Sequence, residues 1–329
     1  MGEKTNISWC EHTINWWIGC TKISPACDGC YAEAMMDKRY GRVQWGNHPR
    51  VRTSKSTWDA PLKWNRKAET AGTRPFVFSS SLSDIFDNQV PSEWRADAFK
   101  VMRETPNLIY LLLTKRPQLI IQLSEEAGGL PQNAAIGATM ASQPEYDRDR
   151  MRLAEAKAAL NPVFSFVSIE PILSRIILDK NAPDWIIVGG ETDQGSHKAR
   201  DADIEWLRYL RDQSRELGRA FFMKQMTRKA PIPVDLLVRE WPIERRAAAC
   251  TPSKSKSSTA THGGRYPLSS TTRTARRTGV SAIPRTTARP ARSGLRFSTA
   301  PLGRIATNSR AARCGSPNSL SNGTAVITR

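Results

Sequence analysis

Short apolar runs recur along residues 1–243 at the spacing of strand–helix units. Each run is rich in β-branched and aromatic residues and lacks polar alternation, which is typical of strands buried on both faces of a sheet. The seven candidate strands are Ile14–Ile18, Phe76–Ser80, Leu108–Leu113, Ala135–Thr139, Val163–Ser168, Trp185–Val188 and Ala220–Met223.

Helical patterns lie between several of these runs. Ser92 is predicted as the N-cap of one helix, and Asp203 as the N-cap of another that ends at Gly218. The charged, Ala-rich segment 145–157 is typical of an outer helix. Strands that alternate with helices predict a parallel sheet, and therefore an α/β fold with a complete or partial (β/α) barrel. An open doubly wound sheet is the alternative.

The composition changes abruptly near residue 244. Ser and Thr supply 26 of the 85 residues from 245 to 329, and the only Tyr, Phe or Trp residues there are Tyr266 and Phe297. Such a segment cannot bury enough apolar surface to offset its ordering entropy. Residues 1–243 are therefore predicted to form an α/β barrel-like metal-binding domain, and residues 244–329 a disordered, basic Ser/Thr/Arg-rich tail.

The charge is as uneven as the composition. The net charge is +18, but 16 of the 49 basic residues and none of the 31 acidic residues follow Glu244, so residues 1–244 carry a net charge of only +2. The overall charge therefore says nothing about a nucleic-acid partner of the folded part. The tail is either a basic arm that binds nucleic acid or an out-of-frame translation of a GC-rich gene, and the total absence of acids favours the second.

The cellular compartment is predicted from the cysteines and the polar opening of the chain. The first residues, MGEKTNISWC, lack the apolar stretch of a secretory signal. Six cysteines, of which three are clustered, do not resemble a disulfide framework. We expect a cytoplasmic protein with no membrane contact.

Three of the cysteines lie in one loop. Cys20, Cys27 and Cys30 form a C-x6-C-x2-C arrangement directly after the first candidate strand, in a segment rich in Gly and Pro. Cys27 and Cys30 can converge on one centre, and the six-residue segment can return Cys20 to it. Three thiolates suit a [4Fe–4S] cluster in which one iron lacks a protein ligand and can bind a small molecule.

Zinc is the alternative occupant of this loop. Three cysteines and one histidine form a common zinc site, for which His12 or His48 would supply the fourth ligand. Thiols buried without a metal are the third interpretation, but a loop rich in Gly, Pro, Asp and Lys is a poor place for core thiols. Cys10, Cys250 and Cys314 lie outside the loop and are not predicted as ligands.

Six segments together resemble a known family. In chain order they are WWIGCTKISPACDGCYAE, FVFSSSLSDIFD, LLLTKRP, FVSIEPIL, WIIVGGET and FFMKQM. They resemble the phage and prophage three-cysteine-motif proteins, an uncharacterised phage protein family, over about residues 4–243. That family in turn resembles the radical S-adenosylmethionine superfamily, whose members place a three-cysteine loop after the first strand of a (β/α) barrel.

The resemblance implies a cofactor and a chemistry. The open iron of a [4Fe–4S] cluster would bind S-adenosylmethionine, whose reductive cleavage releases a radical that abstracts a hydrogen from the substrate. This chain departs from the superfamily's usual pattern in one respect. It has six residues between Cys20 and Cys27, where the superfamily has three.

Further site residues are expected where strands end, because in a barrel these positions line the active site. The residues predicted to bind a cofactor are Ser80, Lys115, Glu170, Gly189, Gly190, Glu191 and Lys224. Other strand-end candidates are Ser81, Asp84, Thr114, Arg116, Thr139, Ser168 and Gln225. The competing interpretation is that the two glycines form a strand-to-helix turn and the cations are solvated loop charges. No catalytic residue is predicted.

Two functions from different classes remain open. One is an iron–sulfur enzyme of the radical S-adenosylmethionine type, with an unknown substrate for which a nucleobase, nucleotide or nucleic acid is the candidate. The other is a zinc-stabilised phage binding or accessory protein without redox chemistry, working with a phage-encoded partner protein.

Overall fold

The computed structural model describes residues 4–244, and its backbone alternates strands with helices. The strands are β1 (His12–Ile14), β2 (Trp17–Ile18), β3 (Val51–Arg52), β4 (Phe76–Ser79), β5 (Ile109–Thr114), β6 (Ala134–Thr139), β7 (Ser165–Ile169), β8 (Trp185–Gly189) and β9 (Ala220–Gln225). The α-helices are α1 (Tyr31–Glu33), α2 (Lys55–Ala71), α3 (Ser92–Arg103), α4 (Ile120–Glu126), α5 (Gln143–Leu160) and α6 (Ile204–Glu216). A π-helical turn over Ala34–Arg39 continues α1, and short 3-10 turns span Pro25–Cys27, Pro117–Leu119, Thr227–Lys229 and Val234–Leu236.

Seven of the described strands form one sheet, in the order β1-β4-β5-β6-β7-β8-β9. Every neighbouring pair in this sheet is parallel, which confirms the predicted parallel arrangement. β2 and β3 form a separate antiparallel pair. A doubly wound sheet reverses its strand order at a switch point. The order here follows the chain without reversal, so the doubly wound alternative is wrong.

Aromatic contacts on one face show that the sheet curls. The ring of Phe76 on β4 lies 5.8 Å from the ring of Trp185 on β8, which is four strands away. In a flat sheet, strands four places apart would be separated by about 19 Å. Trp9 fills the concave interior, with its ring 4.6 Å from that of Phe78. Because β1 and β9 are not paired within residues 4–244, the sheet is a partial barrel.

The helices cover the convex face of the sheet in an apolar cluster that contains Leu207 of α6. The predicted cap of α6 is confirmed, since Asp203 Oδ1 accepts a hydrogen bond from Glu205 N at 2.9 Å. Gly218 ends this helix as predicted, with a left-handed φ of +63°. The predicted cap of α3 is wrong by one residue, because Ser92 is its first residue and Pro91 occupies the cap position.

The first candidate strand, Ile14–Ile18, was predicted wrongly as one element. It divides into β1, which joins the sheet, and β2, which pairs with β3. Asn15 lies at the break, where its Oδ1 accepts a hydrogen bond from Leu82 N at 2.6 Å and its Nδ2 donates one to Ser81 Oγ at 3.0 Å. The side chain of Asn15 thus connects the break to the loop after β4, and the cysteine loop follows β2.

Some predictions fall outside the described residues. The predicted tail, 244–329, lies there except for Glu244, and so do Cys250 and Cys314. None of the helices between residues 4 and 244 has both the length and the apolar character that a bilayer crossing requires.

Candidate functional site

A cavity of about 350 Å³ lies at the carboxyl ends of the parallel strands. Ser80 follows β4, Lys115 follows β5, Glu170 follows β7 and Gly190 follows β8, and all four line this cavity. Active sites of (β/α) barrels lie at the same end of the sheet, because successive strands deliver their following residues to one place.

The cavity contains most of the residues that were predicted to form a site. Of the seven residues predicted to bind a cofactor, all but Gly189 line it together with the three cysteines of the loop. They are Cys20, Cys27, Cys30, Ser80, Lys115, Glu170, Gly190, Glu191 and Lys224. The other strand-end candidates that line it are Ser81, Asp84, Thr114, Arg116, Thr139, Ser168 and Gln225. A shared location is what a common binding site requires, while the role of each residue stays a prediction.

Local hydrogen bonds shape the cysteine loop. Ser24 Oγ accepts a hydrogen bond from Ala26 N at 3.2 Å and so starts the 3-10 turn that ends at Cys27. Cys30 occupies the cap position of α1, which begins at the next residue. The loop therefore places two of its thiols at the ends of two short helical elements.

The thiols of the loop form no disulfide, and two of them are perturbed by burial. Burial and, to a lesser extent, the nearby charge of Asp84 raise the pKa of Cys20 to about 12, although Arg116 acts in the opposite direction. Burial also raises the pKa of Cys30. A bound cation would reverse this, because coordination deprotonates a thiol. Cys10 lies in the concave core and does not line the cavity.

Arg116 is a buried cation that connects three parts of the site. Its Nη1 donates to Asp84 Oδ2 at 2.9 Å and lies 3.7 Å from Cys20 Sγ, while its Nη2 donates to Thr21 O at 3.1 Å. Asp84 Oδ1 also accepts a hydrogen bond from Thr114 Oγ1 at 2.7 Å. Burial lowers the pKa of the Arg116 guanidinium, but the nearby groups Asp84 and Cys20 raise it by more. The net shift of the pKa is therefore upward. Arg116 thus stays cationic beside the sulfur.

Arg50 supports the same loop from another side. Its Nε donates to Asp87 Oδ2 at 2.7 Å, and both side chains are 0% exposed. Its Nη2 donates to Thr21 Oγ1 at 2.8 Å, and its Nη1 donates to Gly46 O at 2.7 Å. Two buried arginines therefore hold the backbone and side chain of Thr21, the residue that follows Cys20.

Glu191 holds the other end of the loop. Its side chain is 6% exposed and accepts hydrogen bonds from Arg200 Nη2 at 2.7 Å and Arg200 N at 2.8 Å. Arg200 Nη2 also donates to Pro25 O at 3.0 Å, and its Nη1 donates to Asp28 Oδ2 at 3.2 Å. A Cβ on Gly29 would lie 2.6 Å from His197 Cδ2 and 2.8 Å from Glu191 Oε1, so a larger residue there would require these side chains to move. Burial opposes ionisation of Glu191, but the hydrogen bonds of Arg200 outweigh it and its pKa is lowered.

The cations of the cavity differ in how their charge is balanced. Lys224 Nζ forms an ion pair with Glu170 Oε1, and Lys22 Nζ lies 2.6 Å from Glu33 Oε2. Lys115 Nζ donates to Thr139 Oγ1 at 3.4 Å and makes no ion pair with any residue between 4 and 244. The charge of Lys115 is therefore the one best placed to bind a carboxylate or phosphate.

The two adjacent glycines after β8 have different surroundings. A Cβ on Gly190 would lie 2.2 Å from Thr227 N and 2.6 Å from Thr227 Cα, which are backbone atoms of the same chain. A Cβ on Gly189 would lie 3.3 Å from carbons of the Glu170 side chain, which can move. Gly190 N also donates to Gln225 O at 2.9 Å. The absence of a side chain at Gly190 is thus explained by close packing onto the loop after β9.

Ser80 has an unusual backbone conformation for a residue with a side chain. Its φ of +70° lies in the left-handed region, which costs an L-residue about 1–2 kcal/mol. Its N–H donates to Ile14 O at 2.8 Å, which holds it beside β1. Strained residues of this kind concentrate at functional sites, and Ser80 is a predicted site residue that lines the cavity.

The three thiols of the loop do not surround one single-ion position. Among residues 4–244, no three His, Cys, Asp or Glu side chains stand close enough to hold one metal ion. A zinc ion brings its thiolate sulfurs within about 3.8 Å of one another, whereas the thiolates of a [4Fe–4S] cluster bind different irons and stay farther apart. The predicted fourth zinc ligands are not in place, because His12 stacks on Trp64 and neither His12 nor His48 lines the cavity.

Sequence reasoning missed several residues that build the site. Arg50 and Arg200 were not predicted, because their roles depend on acids 37 and 9 residues away. Asp87 closes the segment FVFSSSLSDIFD, which was the available signal for it. His197 was not among the predicted site residues either; its side chain is 25% exposed and its Nε2 lies 3.0 Å from Glu191 Oε1.

Comparisons with known proteins place these observations in context. Solved structures of spore photoproduct lyase cover 66% of this chain and 77% of their own. They include two variants, with TM-scores of 0.43 and 0.44 and identities of 12% and 11%. A complex with a dinucleoside spore photoproduct has a TM-score of 0.42 and 12% identity. A search of curated proteins found no match. A family model matches residues 4–273, so the chain belongs to the family described as Protein of unknown function (DUF5131).

Proposed function

We propose that this chain is an iron–sulfur enzyme of the radical S-adenosylmethionine type. Cys20, Cys27 and Cys30 would hold a [4Fe–4S] cluster with one open iron, and S-adenosylmethionine would bind beside it. The observation that carries the proposal is that these three thiols share one cavity with six of the seven residues predicted to bind a cofactor. When bound, the two groups supply one-electron radical chemistry.

The residues of the cavity divide into two proposed roles. Ser80, Lys115, Glu170 and Lys224 present polar side chains to the cavity and would contact S-adenosylmethionine, with Lys115 suited to its carboxylate because no ion pair among the described residues balances this lysine. The remaining three predicted residues would shape the site. They are Gly189, Gly190 and Glu191, which pack against Glu170, Thr227 and Arg200 respectively.

The proposed substrate is a nucleobase, nucleotide or nucleic acid. Its support is that the aromatic side chains of Tyr31 and Trp45 line the cavity and are not fully buried, since aromatic rings can stack on bases. Arg116 is paired with Asp84 and adds little attraction for an anion. A cytoplasmic location is a further proposal that rests on the cysteine usage of the chain. A phage origin and a phage-encoded partner protein are proposals that rest on the sequence resemblance alone.

The test is anaerobic reconstitution of the full chain with iron and sulfide, followed by the visible absorption spectrum and metal analysis. We expect a broad band near about 400 nm that is lost in Cys27→Ala. Cys10→Ala is the matched control, because Cys10 is buried away from the cavity and the variant should keep the band. A colourless protein that contains about one zinc per chain would establish the zinc-stabilised alternative and sink the proposal.

A further inference from the structure

The three thiols of the loop do not share the same electrostatic surroundings. Arg116 Nη1 lies 3.7 Å from Cys20 Sγ, within reach of an N–H···S hydrogen bond. The polar neighbour of Cys27 Sγ is the uncharged Ser24 Oγ, at 4.0 Å. Among the described hydrogen bonds, that of Cys20 is the one in which a loop sulfur meets a cationic donor. Of the three loop sulfurs, Cys20 Sγ is therefore the one that lies beside a buried arginine.

The position of this charge is held by groups on two other segments. The Arg116 side chain is 7% exposed, and its guanidinium is fixed between Asp84 Oδ2 at 2.9 Å and Thr21 O at 3.1 Å. Asp84 is fixed in turn by Thr114 Oγ1 at 2.7 Å. The planar fork satisfies these acceptors simultaneously, which a lysine ammonium cannot reproduce at the same positions. Arg116 cannot turn away from Cys20 without breaking both other contacts.

We infer that Arg116 is a positioning residue that tunes the cluster by donating to the Cys20 sulfur and stabilising the reduced state. This inference rests on the proposed function. Reduction adds negative charge, which a cluster shares with its cysteine sulfurs. Hydrogen bonds to those sulfurs are among the factors that set a cluster's potential. A buried cation beside one sulfur favours the electron-rich state and raises the reduction potential.

The test is a redox titration of the reconstituted full chain, followed by visible absorbance. The variants are Arg116→Gln, which removes the charge, and Arg116→Lys, which keeps it but loses the fork. We expect Arg116→Gln to lower the equilibrium constant for reduction at least tenfold, equivalent to 59 mV for one electron, and Arg116→Lys to lower it by less. Arg50→Lys is the matched control. Arg50 is equally buried and also holds Thr21, but its hydrogen bonds go to oxygen acceptors only.

The outcomes separate this inference from the proposed function. If the wild-type chain assembles no cluster, both fail. If it assembles one and the Arg116 variants keep the wild-type potential, the inference alone is refuted. An equal shift in Arg50→Lys would also overturn it, because loop packing would then explain the effect. If Arg116→Gln does not fold, Arg116→Lys still decides the matter, since it retains a cation for Asp84.

Discussion

Replacing Gly190 by alanine tests whether a glycine is needed here for β8 to pack against the loop after β9, and not only for binding a ligand. The added Cβ would stand 2.2 Å from Thr227 N, 2.6 Å from Thr227 Cα and 2.7 Å from Met226 C. These atoms belong to the backbone and cannot rotate aside, so β8 and the loop after β9 must separate. Gly190 has no left-handed φ, so the substitution introduces a contact without adding backbone strain.

The magnitude follows from two opposing effects. Overpacking a rigid site costs about 1–3 kcal/mol, and contacts with backbone place this site at the upper end. Alanine also restricts the unfolded chain, which offsets about 0.4–1 kcal/mol. We expect a net loss of about 2 kcal/mol in the free energy of unfolding. In a folded unit of this size that loss lowers Tm by about 4–8 °C.

Thermal unfolding followed by tryptophan fluorescence is a suitable assay, because all ten tryptophans lie between Trp9 and Trp241 and report on the described part of the chain. Gly189→Ala is the matched control. The atoms nearest to its Cβ would belong to the Glu170 side chain, at 3.3 Å, so the stability should change by less than about 1 kcal/mol. If Gly190→Ala proves as stable as the wild type, or no less stable than Gly189→Ala, the packing argument is refuted.

Three further predictions concern the barrel core, a buried ion pair and the response to acid. Gly137→Ala should lower the free energy of unfolding by about 1–3 kcal/mol, because its Cβ would stand 2.4–2.6 Å from ring atoms of Phe166. Adding Phe166→Leu should recover part of that loss in urea denaturation, and a simple sum of the two single effects would contradict the prediction. Arg50→Ala should cost about 3–5 kcal/mol in the same assay, since it leaves a fully buried Asp87 carboxylate unpaired. A loss below about 1 kcal/mol would contradict this prediction, because it would show that Asp87 gains water or another partner in the variant. For Asp184, burial opposes ionisation, but hydrogen bonds from Lys157 and Ser165 outweigh it and lower the pKa below the ordinary 3.8. Its stabilisation is therefore present above pH 3.8 and is lost as the pH falls through the lower folded pKa. Asp184→Asn should be less stable at neutral pH, with a gap that narrows in acid, and a gap independent of pH would contradict the assignment.

The strands and the position of the cysteine loop are the features that local sequence predicts well. Phe76–Ser79, Trp185–Gly189 and the other central strands carry their signal in adjacent residues, because a strand buried on both faces must be apolar throughout. The spacing of Cys20, Cys27 and Cys30 is equally local. The rule that parallel strands deliver their following residues to one edge was enough to place most of the predicted site on one cavity.

The features that the sequence did not predict depend instead on contacts between distant parts of the chain. The break at Asn15 is fixed by a hydrogen bond to Leu82, 67 residues away, which no local pattern can indicate. The curl of the sheet was left open between a partial and a complete barrel. It depends on how rings such as Phe76 and Trp185 pack across the interior.

The sequence by itself therefore determined the central strands of the sheet, where the thiols lie in the chain and which strand ends carry the predicted site residues. Only the tertiary structure decided how the loop is held. Arg116 reaches Asp84 and Cys20 across 32 and 96 residues. The physical reason is that a buried charge must find a partner wherever the packed strands place one.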